Sequence, residues 1–389
     1  MSETSVFNIR INFKKSKGSY IFDKNKRKRF LDFMGMYSSL PLGYNHKIFN
    51  KSFKREIEKV SPLKVVNCEI LSDEYDNFLS KFKKFTSLDS YTNYAFTCTG
   101  ALANEAAVKT AMWYKGPKKT GYILSLKNSF HGINSVGNII TTRFSGIDLR
   151  QDNLPGELVW PQAKNIDQAI KIIQSKDKNL QGIIIEPIQA TFGDNYLAKN
   201  KLLKLRRICT EYDIPLIFDE VQTGFGSTNK VWYFEHLGIE PDIVTFGKKC
   251  QVSGIMVKQS HSKVFEFPKR LSVTFDGELI DMIRCKYIIK AIEKYNLLER
   301  GKFLSKYFTD KLKSLKKFKS VRSTGLLFCL DFNSKYKRDV FVDELYKNGM
   351  ICNPTGDMSV RMRPNLAVTK KEINKALEII DIAFKNNSL

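Results

Sequence analysis

The sequence predicts an α/β protein built around a mainly parallel sheet, with a smaller α+β domain beside it. Apolar runs at 182–185 and 215–218 flank a segment with helical spacing at 201–212, which is the pattern of a β-α-β unit. Continuous apolar strands joined by a helix are typical of a parallel sheet buried on both faces. A further apolar run at 242–246 predicts the next strand.

The length of the chain indicates two domains. The 389 residues exceed what one hydrophobic core usually serves. The last third has a different pattern of apolar residues, which predicts helices at 282–298, 303–315 and near 340–347 and a strand at 325–331. No repeat or linker divides the chain, so both of its ends must contribute to the second domain. We expect a large domain at 47–280 and a small domain formed by 1–46 and 281–389.

Net charge is high but spread out. The chain has 64 Lys and Arg against 40 Asp and Glu, a net charge of +24. A nucleic-acid site needs a basic patch, whereas these lysines are scattered, which indicates a general compositional bias. The densest basic run, 24–29, lies between two apolar segments and predicts an exposed hairpin tip. We expect no nucleic-acid partner.

Neither a membrane span nor a secretory signal is expected. No stretch approaches the ~20 apolar residues that cross a bilayer, and the N-terminus lacks a basic segment followed by an apolar run. A cytoplasmic protein without a membrane partner is the resulting expectation. The seven cysteines are odd in number and never form a C-x-x-C pair, and the four histidines are far apart. This pattern predicts reduced thiols and no metal site.

Polar residues follow the predicted strands where each of them ends. Glu186 comes after the first, Asp219 and Glu220 after the second, and Lys248 and Lys249 after the third. In an open α/β sheet, ligands bind outside the carboxyl ends of the strands. We therefore expect the site at this edge of the sheet.

Three segments carry a family resemblance. The runs IFDEVQTGFG at 217–226 and PDIVTFGKK at 241–249, preceded by EPIQ at 186–189, resemble the class III aminotransferases. The similarity extends from about Gly18 to the C-terminus and is greatest to lysine 6-aminotransferase. It implies the pyridoxal 5'-phosphate (PLP)-dependent transferase fold type I, whose large domain has a mainly parallel seven-stranded sheet, and PLP as the cofactor.

The resemblance assigns roles to one lysine and one aspartate. PLP is held as a Schiff base by a lysine, and a lysine near another cation is activated by a lowered pKa. The family's spacing selects Lys249 for this role, with Lys248 as the alternative. Asp219 would keep the pyridine nitrogen of the cofactor protonated, although it could instead cap the segment that follows it.

Other cofactor contacts are implied at the helix that begins near Gly100 and along the other motifs. Gly100 and Ala101 would bind the phosphate at the helix N-terminus, and Phe130 would stack on the ring unless it belongs to the core. Val221 would lie against the ring and Gln222 would hydrogen-bond its hydroxyl. The complete expected set is Gly100, Ala101, Phe130, His131, Glu186, Asp219, Val221, Gln222, Lys249 and Thr274.

The resemblance also implies an assembly and a substrate site. Thr274 would bind the phosphate of the partner subunit, which makes the enzyme a homodimer. Arg361 would grip the α-carboxylate of glutamate or 2-oxoglutarate through its planar fork. Two positions depart from the family: Ile133 replaces an arginine that holds the distal carboxylate, and Thr191 replaces a glutamate that masks the second arginine.

The predicted function is ω-type transamination between glutamate or 2-oxoglutarate and an aldehyde or ketone, with Lys249 moving the proton. L-lysine 6-transamination is the first alternative, and the two departures at Ile133 and Thr191 weigh against it. Another enzyme of the same fold, such as a mutase, racemase or decarboxylase, is the second. A non-enzymatic basic binding protein is the last, and it would be expected to lack Lys249 or Asp219.

Overall fold

The computed structural model of the chain describes residues 7–86, 88–142 and 160–386. Its contacts divide the chain into two compact units. Unit 1 comprises Met1–Arg55, Gly226–Asn229 and Tyr287–Leu389. Unit 2 comprises Glu56–Phe225 and Lys230–Lys286. Both units therefore draw on segments that are distant in sequence.

Strands occur in both units. They are β1 Tyr20–Asp23, β2 Lys28–Asp32, β3 Tyr91–Thr97, β4 Tyr122–Leu126, β5 Gln162–Ala163, β6 Leu180–Ile185, β7 Ile188–Gln189, β8 Asn195–Tyr196, β9 Leu216–Asp219, β10 Ile243–Phe246, β11 Ser253–Lys258, β12 Ser320–Thr324, β13 Leu327–Asp331, β14 Met350–Ile351, β15 Asn353–Thr355 and β16 Ser359–Met362.

Helices occur in both units as well. They are α1 Gly35–Ser38, α2 Lys51–Val60, α3 Asp73–Thr86, α4 Gly100–Lys115, α5 Ser135–Ile140, α6 Ile166–Gln174, α7 Lys199–Glu211, α8 Phe234–Leu237, α9 Leu279–Lys294, α10 Leu297–Ser314, α11 Lys335–Lys347 and α12 Lys370–Lys385. Short 3₁₀ turns are formed by Lys248–Cys250, Gln259–His261 and Lys263–Glu266.

A seven-stranded sheet forms the centre of unit 2. Its strand order is β3-β11-β10-β9-β6-β4-β5. The pairs from β10 through β9, β6 and β4 to β5 are parallel, and β11 runs antiparallel to both of its neighbours. The mainly parallel seven-stranded sheet is confirmed, as is the β-α-β unit made by β6, α7 and β9.

Helix α4 lies on this sheet through small side chains. Ala103, Ala107 and Ala111 are fully buried in one cluster with isoleucines of the strands, among them Ile184 and Ile217. Alanine leaves little side-chain volume between helix and sheet, so the backbones approach closely. The helix begins next to the cavity described below, with Thr99 as its N-cap accepting a hydrogen bond from the Leu102 N–H at 3.3 Å.

The connection from β10 to β11 is short. It spans 247–252 and reverses the chain, because Phe246 pairs with Gly254 across the antiparallel ladder. Lys248 and Gln251 within it have positive φ, 50° and 63°, a conformation that side chains with a Cβ rarely adopt. Both candidate lysines thus lie in a tight turn held by strands on either side.

Unit 1 contains two further sheets. One joins β1, β2 and β14, and the other has the order β12-β13-β16-β15. The hairpin predicted around the basic run is confirmed, since Asp23 pairs with Lys28 across its turn. Helices α10 and α11 begin earlier than predicted. Leu297 and Leu298 begin α10, although the sequence pattern assigned them to the helix before it. The first turn of α11 is polar and carries no apolar period, and its start is marked by the N-cap Ser334, which accepts a hydrogen bond from the Lys337 N–H at 3.2 Å.

Helix α12 begins with a reciprocal cap. The Thr369 hydroxyl accepts from the Glu372 N–H at 3.2 Å, and the Glu372 carboxylate accepts from the Thr369 N–H at 2.7 Å. The second carboxylate oxygen accepts from the N–H of Ser19 at 2.8 Å. One glutamate therefore caps a C-terminal helix and holds an N-terminal segment of the same unit.

Three general findings bear on the class of protein. Within the described ranges, each helix is too short or too polar to span a bilayer. Over the same residues, the cysteines are free thiols, of which Cys68 and Cys98 are exposed. The described part of the chain contains no cluster of three or more His, Cys, Asp or Glu residues that could hold a metal ion.

Candidate active site

A cavity of about 250 Å³ lies in unit 2 beside the carboxyl ends of the central strands. Asp219 is the last residue of β9, Glu186 directly follows β6, and Lys248 follows β10. The sequence-predicted residues that line the cavity are Gly100, Ala101, Phe130, His131, Glu186, Asp219, Val221 and Gln222. Of the polar residues predicted from the strand ends, Glu186, Asp219 and Lys248 thus lie around one space, whereas Glu220 and Lys249 do not line it.

Asp219 is buried and accepts several hydrogen bonds. Its Oδ2 accepts from the side-chain amide of Asn104 and from Nδ1 of His131, both at 2.8 Å. Its Oδ1 accepts from the Val221 N–H at 3.0 Å and from the Thr245 hydroxyl at 3.3 Å. Because an ionised carboxylate only accepts, Nδ1 of His131 carries the proton in this contact.

These donors decide the charge of Asp219. Burial alone would raise its pKa, but the hydrogen bonds from His131, Val221 and Asn104 outweigh burial and hold the pKa below its ordinary value. A carboxylate with several donors is stabilised in its ionised form. Asp219 therefore presents a negative charge to the cavity, which suits a protonated ring nitrogen.

Glu186 is the second carboxyl group on the cavity. Its Oε1 accepts from the N–H of Phe130 at 2.7 Å. Burial raises the pKa of Glu186 to about 7, with His131 opposing the shift and Asp219 adding to it. Near neutral pH this group is poised between its two states, in contrast to Asp219. Perturbed acids of this kind are typical of functional sites.

The third carboxylate of the strand ends, Glu220, has a structural environment. Its oxygens accept from the Thr223 hydroxyl at 2.9 Å and from the N–H groups of Tyr233 and Phe234 at 2.7 and 2.8 Å. Burial raises its pKa to about 7. Glu220 is not among the residues that line the cavity, so it supports the segment after Asp219 instead.

The N-terminus of α4 offers an anion site at the cavity wall. Gly100 and Ala101 line the cavity, and the first N–H groups of a helix lack partners within the helix. Gly100 packs directly against Val221, since a Cβ built on Gly100 would lie 2.9 Å from Val221 Cγ1. This close approach explains the glycine.

Gln222 presents an unused donor. Its Oε1 accepts a hydrogen bond from the Lys248 amine. Its Nε2 is buried and has no hydrogen-bond partner among the residues that the structure describes. A buried amide of this kind needs an acceptor, and the hydroxyl of the expected cofactor ring would supply one. The cavity therefore fits PLP at the nitrogen, hydroxyl and phosphate positions.

The two candidate lysines differ in their surroundings. Lys248 lines the cavity, and its amine donates to Gln222. Lys249 is 2% exposed and is not among the lining residues. Lysine is almost never buried this completely without a specific interaction for its amine. The cavity lining thus favours Lys248 and the burial favours Lys249, so the choice of Lys249 stays a prediction.

Two further predicted residues lie elsewhere. Thr274 is exposed, in a loop of unit 2 that does not line this cavity. Arg361 belongs to unit 1, where it is buried in β16 and pairs with Cys329 and Asn353 of the neighbouring strands. Their expected roles toward a partner's phosphate and a substrate carboxylate remain predictions.

Sequence reasoning missed Asn104 among the cavity residues. Its amide nitrogen donates to the main-chain oxygen of His131 at 2.9 Å as well as to Asp219. An asparagine inside an alanine-rich helix is unusual, because asparagine is a poor helix former. That mismatch in 100–115 was the signal that could have identified it.

The two departures from the family pattern also lie on the cavity. Ile133 contributes an apolar side chain that is 59% exposed. Thr191 is buried and lies in the turn between β7 and β8. Among the described lining residues, Lys248 is the only lysine or arginine.

Known proteins match this chain over nearly all of its length. The family model described as aminotransferase class-III matches residues 1–384. The L-lysine-epsilon aminotransferase of Mycobacterium tuberculosis is 30% identical, covering 97% of this chain and 92% of the relative. The acetylornithine aminotransferase of Prochlorococcus marinus is 28% identical, covering 96% and 92%.

A solved structure agrees with these sequences. The lysine aminotransferase of M. tuberculosis superposes with a TM-score of 0.93 at 28% identity, covering 99% of this chain and 97% of that chain. Its likeness extends over both units of the chain, and the residues of the cavity fit the cofactor on which this family depends. The chain belongs to the class III aminotransferase family and is a PLP-dependent aminotransferase of fold type I.

Proposed function

We propose that this enzyme is an ω-type aminotransferase that moves an amino group between glutamate or 2-oxoglutarate and an aldehyde or ketone of low acidity. The observation that carries the proposal is the cavity shared by an ionised Asp219, the unused amide donor of Gln222 and an exposed apolar side chain at Ile133. When bound, PLP supplies an electron sink for breaking the substrate's C–H bond. The protein's residues then set charge, orientation and proton transfer.

Each residue has a defined task in this proposal. Asp219 holds a proton on the ring nitrogen, and the Gln222 amide donates to the ring hydroxyl. Phe130 and Val221 bound the ring, and the first N–H groups of α4 at Gly100 bind the phosphate. His131 supports Asp219 through the hydrogen bond at 2.8 Å, and Glu186 accepts from the N–H of Phe130.

We propose Lys249 as the lysine that bonds to PLP and moves the proton, with Lys248 as the alternative. The family spacing supports Lys249, and so does its burial at 2% exposure, because an amine shielded from water is more readily neutral and nucleophilic. The Lys248 amine donates to the Gln222 oxygen.

Borohydride reduction of the purified enzyme, followed by peptide mapping, tests this choice. We expect the label on Lys249, with Lys249→Ala unlabelled and Lys248→Ala still labelled. A label on Lys248, which lines the cavity, would transfer the role to that residue. No label on either lysine would contradict the proposed chemistry altogether.

The acceptor specificity follows from the chemistry of the cavity wall. An ω-amino acid needs a cation for its distal carboxylate, and Ile133 offers apolar contact instead. Arg143, which could supply a displaced anchor, lies outside the described residues. Loss of a hydrogen bond to a charged group is worth ~1.5–3 kcal/mol, or about a tenfold to hundredfold loss of kcat/KM.

L-lysine 6-transamination is the second candidate, favoured by the 30% identity to the M. tuberculosis enzyme. Steady-state assays with L-lysine and 2-oxoglutarate, beside uncharged aldehydes with glutamate, separate the two. We expect weak turnover of lysine, improved in Ile133→Arg, with Ile133→Leu as the matched control. A wild-type kcat/KM for lysine within ~10⁴–10⁸ M⁻¹s⁻¹ would instead establish lysine as a substrate.

Arg361 is proposed to bind the α-carboxylate of glutamate or 2-oxoglutarate. It is a buried arginine, and the guanidinium fork matches a carboxylate in a way that lysine does not. Arg361→Lys is expected to raise KM for glutamate about tenfold, equivalent to ~1.4 kcal/mol, with a smaller change for an uncharged aldehyde. Equal changes for both substrates would count against this role.

We propose a homodimer in which Thr274 binds the phosphate of the PLP held by the partner subunit. The proposal is supported by the exposed loop that contains Thr274. Val273 and Phe275 on either side of Thr274 are 56% and 45% exposed, and contiguous exposed apolar side chains are typical of a surface that a partner covers. Sedimentation of the wild type and of Phe275→Glu tests the assembly, with a dimer expected only for the former. We further propose domain boundaries at 47–280 and 1–46 with 281–389.

A further inference from the structure

The interior of α4 carries one side chain directed at the charge of Asp219. Asn104 is 2% exposed, and its Nδ2 donates to Asp219 Oδ2 at 2.8 Å and to the His131 main-chain oxygen at 2.9 Å. Both partners can only accept, so the amide orientation follows from their chemistry. The Asn104 amide thus links the Asp219 carboxylate to the main chain of His131. The His131 imidazole donates to the same carboxylate oxygen, Oδ2.

This arrangement leaves part of the asparagine unsatisfied. Its Oδ1 is buried and has no hydrogen-bond partner among the described residues. A buried acceptor without a partner destabilises the fold, and asparagine is a poor helix former beside Ala103, Ala106 and Ala107. Alanine at position 104 would avoid both disadvantages. What asparagine adds is the pair of donated hydrogen bonds.

The donors on Asp219 are not equivalent. The Asn104 amide and Nδ1 of His131 both donate to Oδ2 at 2.8 Å, whereas the Thr245 contact to Oδ1 is longer, at 3.3 Å. The Asn104 amide has no other tautomer or protonation state, so it donates at every pH at which the enzyme folds. It also holds the His131 main chain, on which the position of the imidazole depends. Asn104 is therefore among the donors that lower the pKa of Asp219.

We propose that Asn104 is a positioning residue of the reaction, whose amide keeps Asp219 ionised and so keeps the shared proton on the pyridine nitrogen of PLP. The inference rests on the proposed role of Asp219. A carboxylate that loses a donor becomes a stronger base, and the proton then moves from the ring nitrogen toward Asp219. Asn104 acts through Asp219, without bonding to the cofactor itself.

The test observes the ring nitrogen directly. Wild type, Asn104→Leu and Asn104→Ala are loaded with PLP labelled with ¹⁵N in the ring, and the ¹⁵N chemical shift is followed from about pH 6 to 9. We expect a protonated ring in the wild type and a shift toward the unprotonated value in both variants. Their kcat should fall about 10- to 100-fold, the range for one hydrogen bond to a charged group, with KM changed less.

Two controls make the outcome specific. Glu105→Gln alters the next residue of the helix, whose carboxylate pairs with Lys109 at 2.9 Å, and should leave the ring nitrogen protonated. Thermal unfolding of the cofactor-free variants verifies that they fold, and alanine, the best helix former, guards against failure of the leucine variant. An unshifted nitrogen in a folded, loaded Asn104 variant, or an equal shift in Glu105→Gln, overturns the proposal.

Asp219→Asn in the same experiment separates the role of Asp219 from that of Asn104. A ring nitrogen that stays protonated in Asp219→Asn would show that Asp219 is not its partner, and the proposed function would fail at that residue. A shift in Asp219→Asn without one in the Asn104 variants would remove only the role of Asn104. We expect shifts in both, larger for Asp219→Asn.

Discussion

Gly100→Ala tests how closely the helix N-terminus and the segment after β9 must pack. The added Cβ would lie 2.9 Å from Val221 Cγ1 and 3.1 Å from Cγ2, where ordinary contacts are 3.4–4 Å. Overpacking of this kind costs about 1–3 kcal/mol. Alanine is at most ~1 kcal/mol more favourable than glycine in a helix. The steric clash therefore outweighs this gain, and we expect Gly100→Ala to be destabilising overall.

The displaced residues are those proposed to contact PLP, so the effect should appear in cofactor affinity. Moving Val221 and the first turn of α4 is expected to raise the dissociation constant of PLP about 10- to 100-fold, equivalent to ~1.4–2.8 kcal/mol. Absorbance titration of the cofactor-free enzyme measures this constant. Thermal unfolding without PLP measures the smaller effect on the fold itself.

A double-mutant cycle with Val221→Ala identifies the cause. That variant lacks both Cγ atoms, so Gly100→Ala should be nearly neutral in its background, with a coupling energy of about 1–3 kcal/mol. The same loss of affinity from Gly100→Ala in both backgrounds would refute the argument from contact distance. It would then indicate that glycine is needed for the backbone of the turn.

Three other perturbations have expected outcomes. Asp219→Asn should lower kcat on the order of 100-fold, equivalent to ~2.7 kcal/mol, while PLP still binds, and unchanged turnover in steady-state assays would contradict its role. Because burial raises the pKa of Glu220 to about 7, the folded protein retains a proton that the unfolded chain releases above its ordinary pKa. Chemical unfolding should therefore show wild type losing stability relative to Glu220→Gln as pH rises from about 5 to 7, and parallel curves would speak against it. Thr369→Ala removes the side-chain cap of α12 and should lower the free energy of unfolding by about 1 kcal/mol. Lys371→Ala, which truncates an exposed side chain of the same helical turn, is the control, and an equal loss in both variants would argue against the cap.

Much of the large sheet was predictable because its strands are buried on both faces. The apolar runs of β6, β9 and β10 are continuous, and polar residues mark the end of each strand, so Glu186 and Asp219 were correctly expected at one edge. The antiparallel strand β11 leaves no such mark. Its direction depends on the turn at 247–252, whose left-handed residues are not glycines.

The cavity residues that escaped prediction lack a local signal of function. Asn104 stands out only as a poor helix former among alanines, and that mismatch does not say what it contacts until the fold brings it to Asp219, 115 residues away in sequence. The choice between Lys248 and Lys249 rests on resemblance, because both follow β10 and their distance from the strand does not separate them. Ile133 and Thr191 were likewise singled out by resemblance, since an apolar residue and a threonine carry no signal of function by themselves.

The antiparallel reversal between β10 and β11 makes the length of 247–252 a constraint on engineering. Both ends of this segment are held in register, with Phe246 opposite Gly254, so neither strand can slide to absorb an inserted or deleted residue without exchanging its two faces. A deletion next to the lysine pair would therefore move one lysine into the place of the other. Directed evolution of this enzyme can vary residue types within the segment, but a library that varies its length would displace both lysines before it altered specificity.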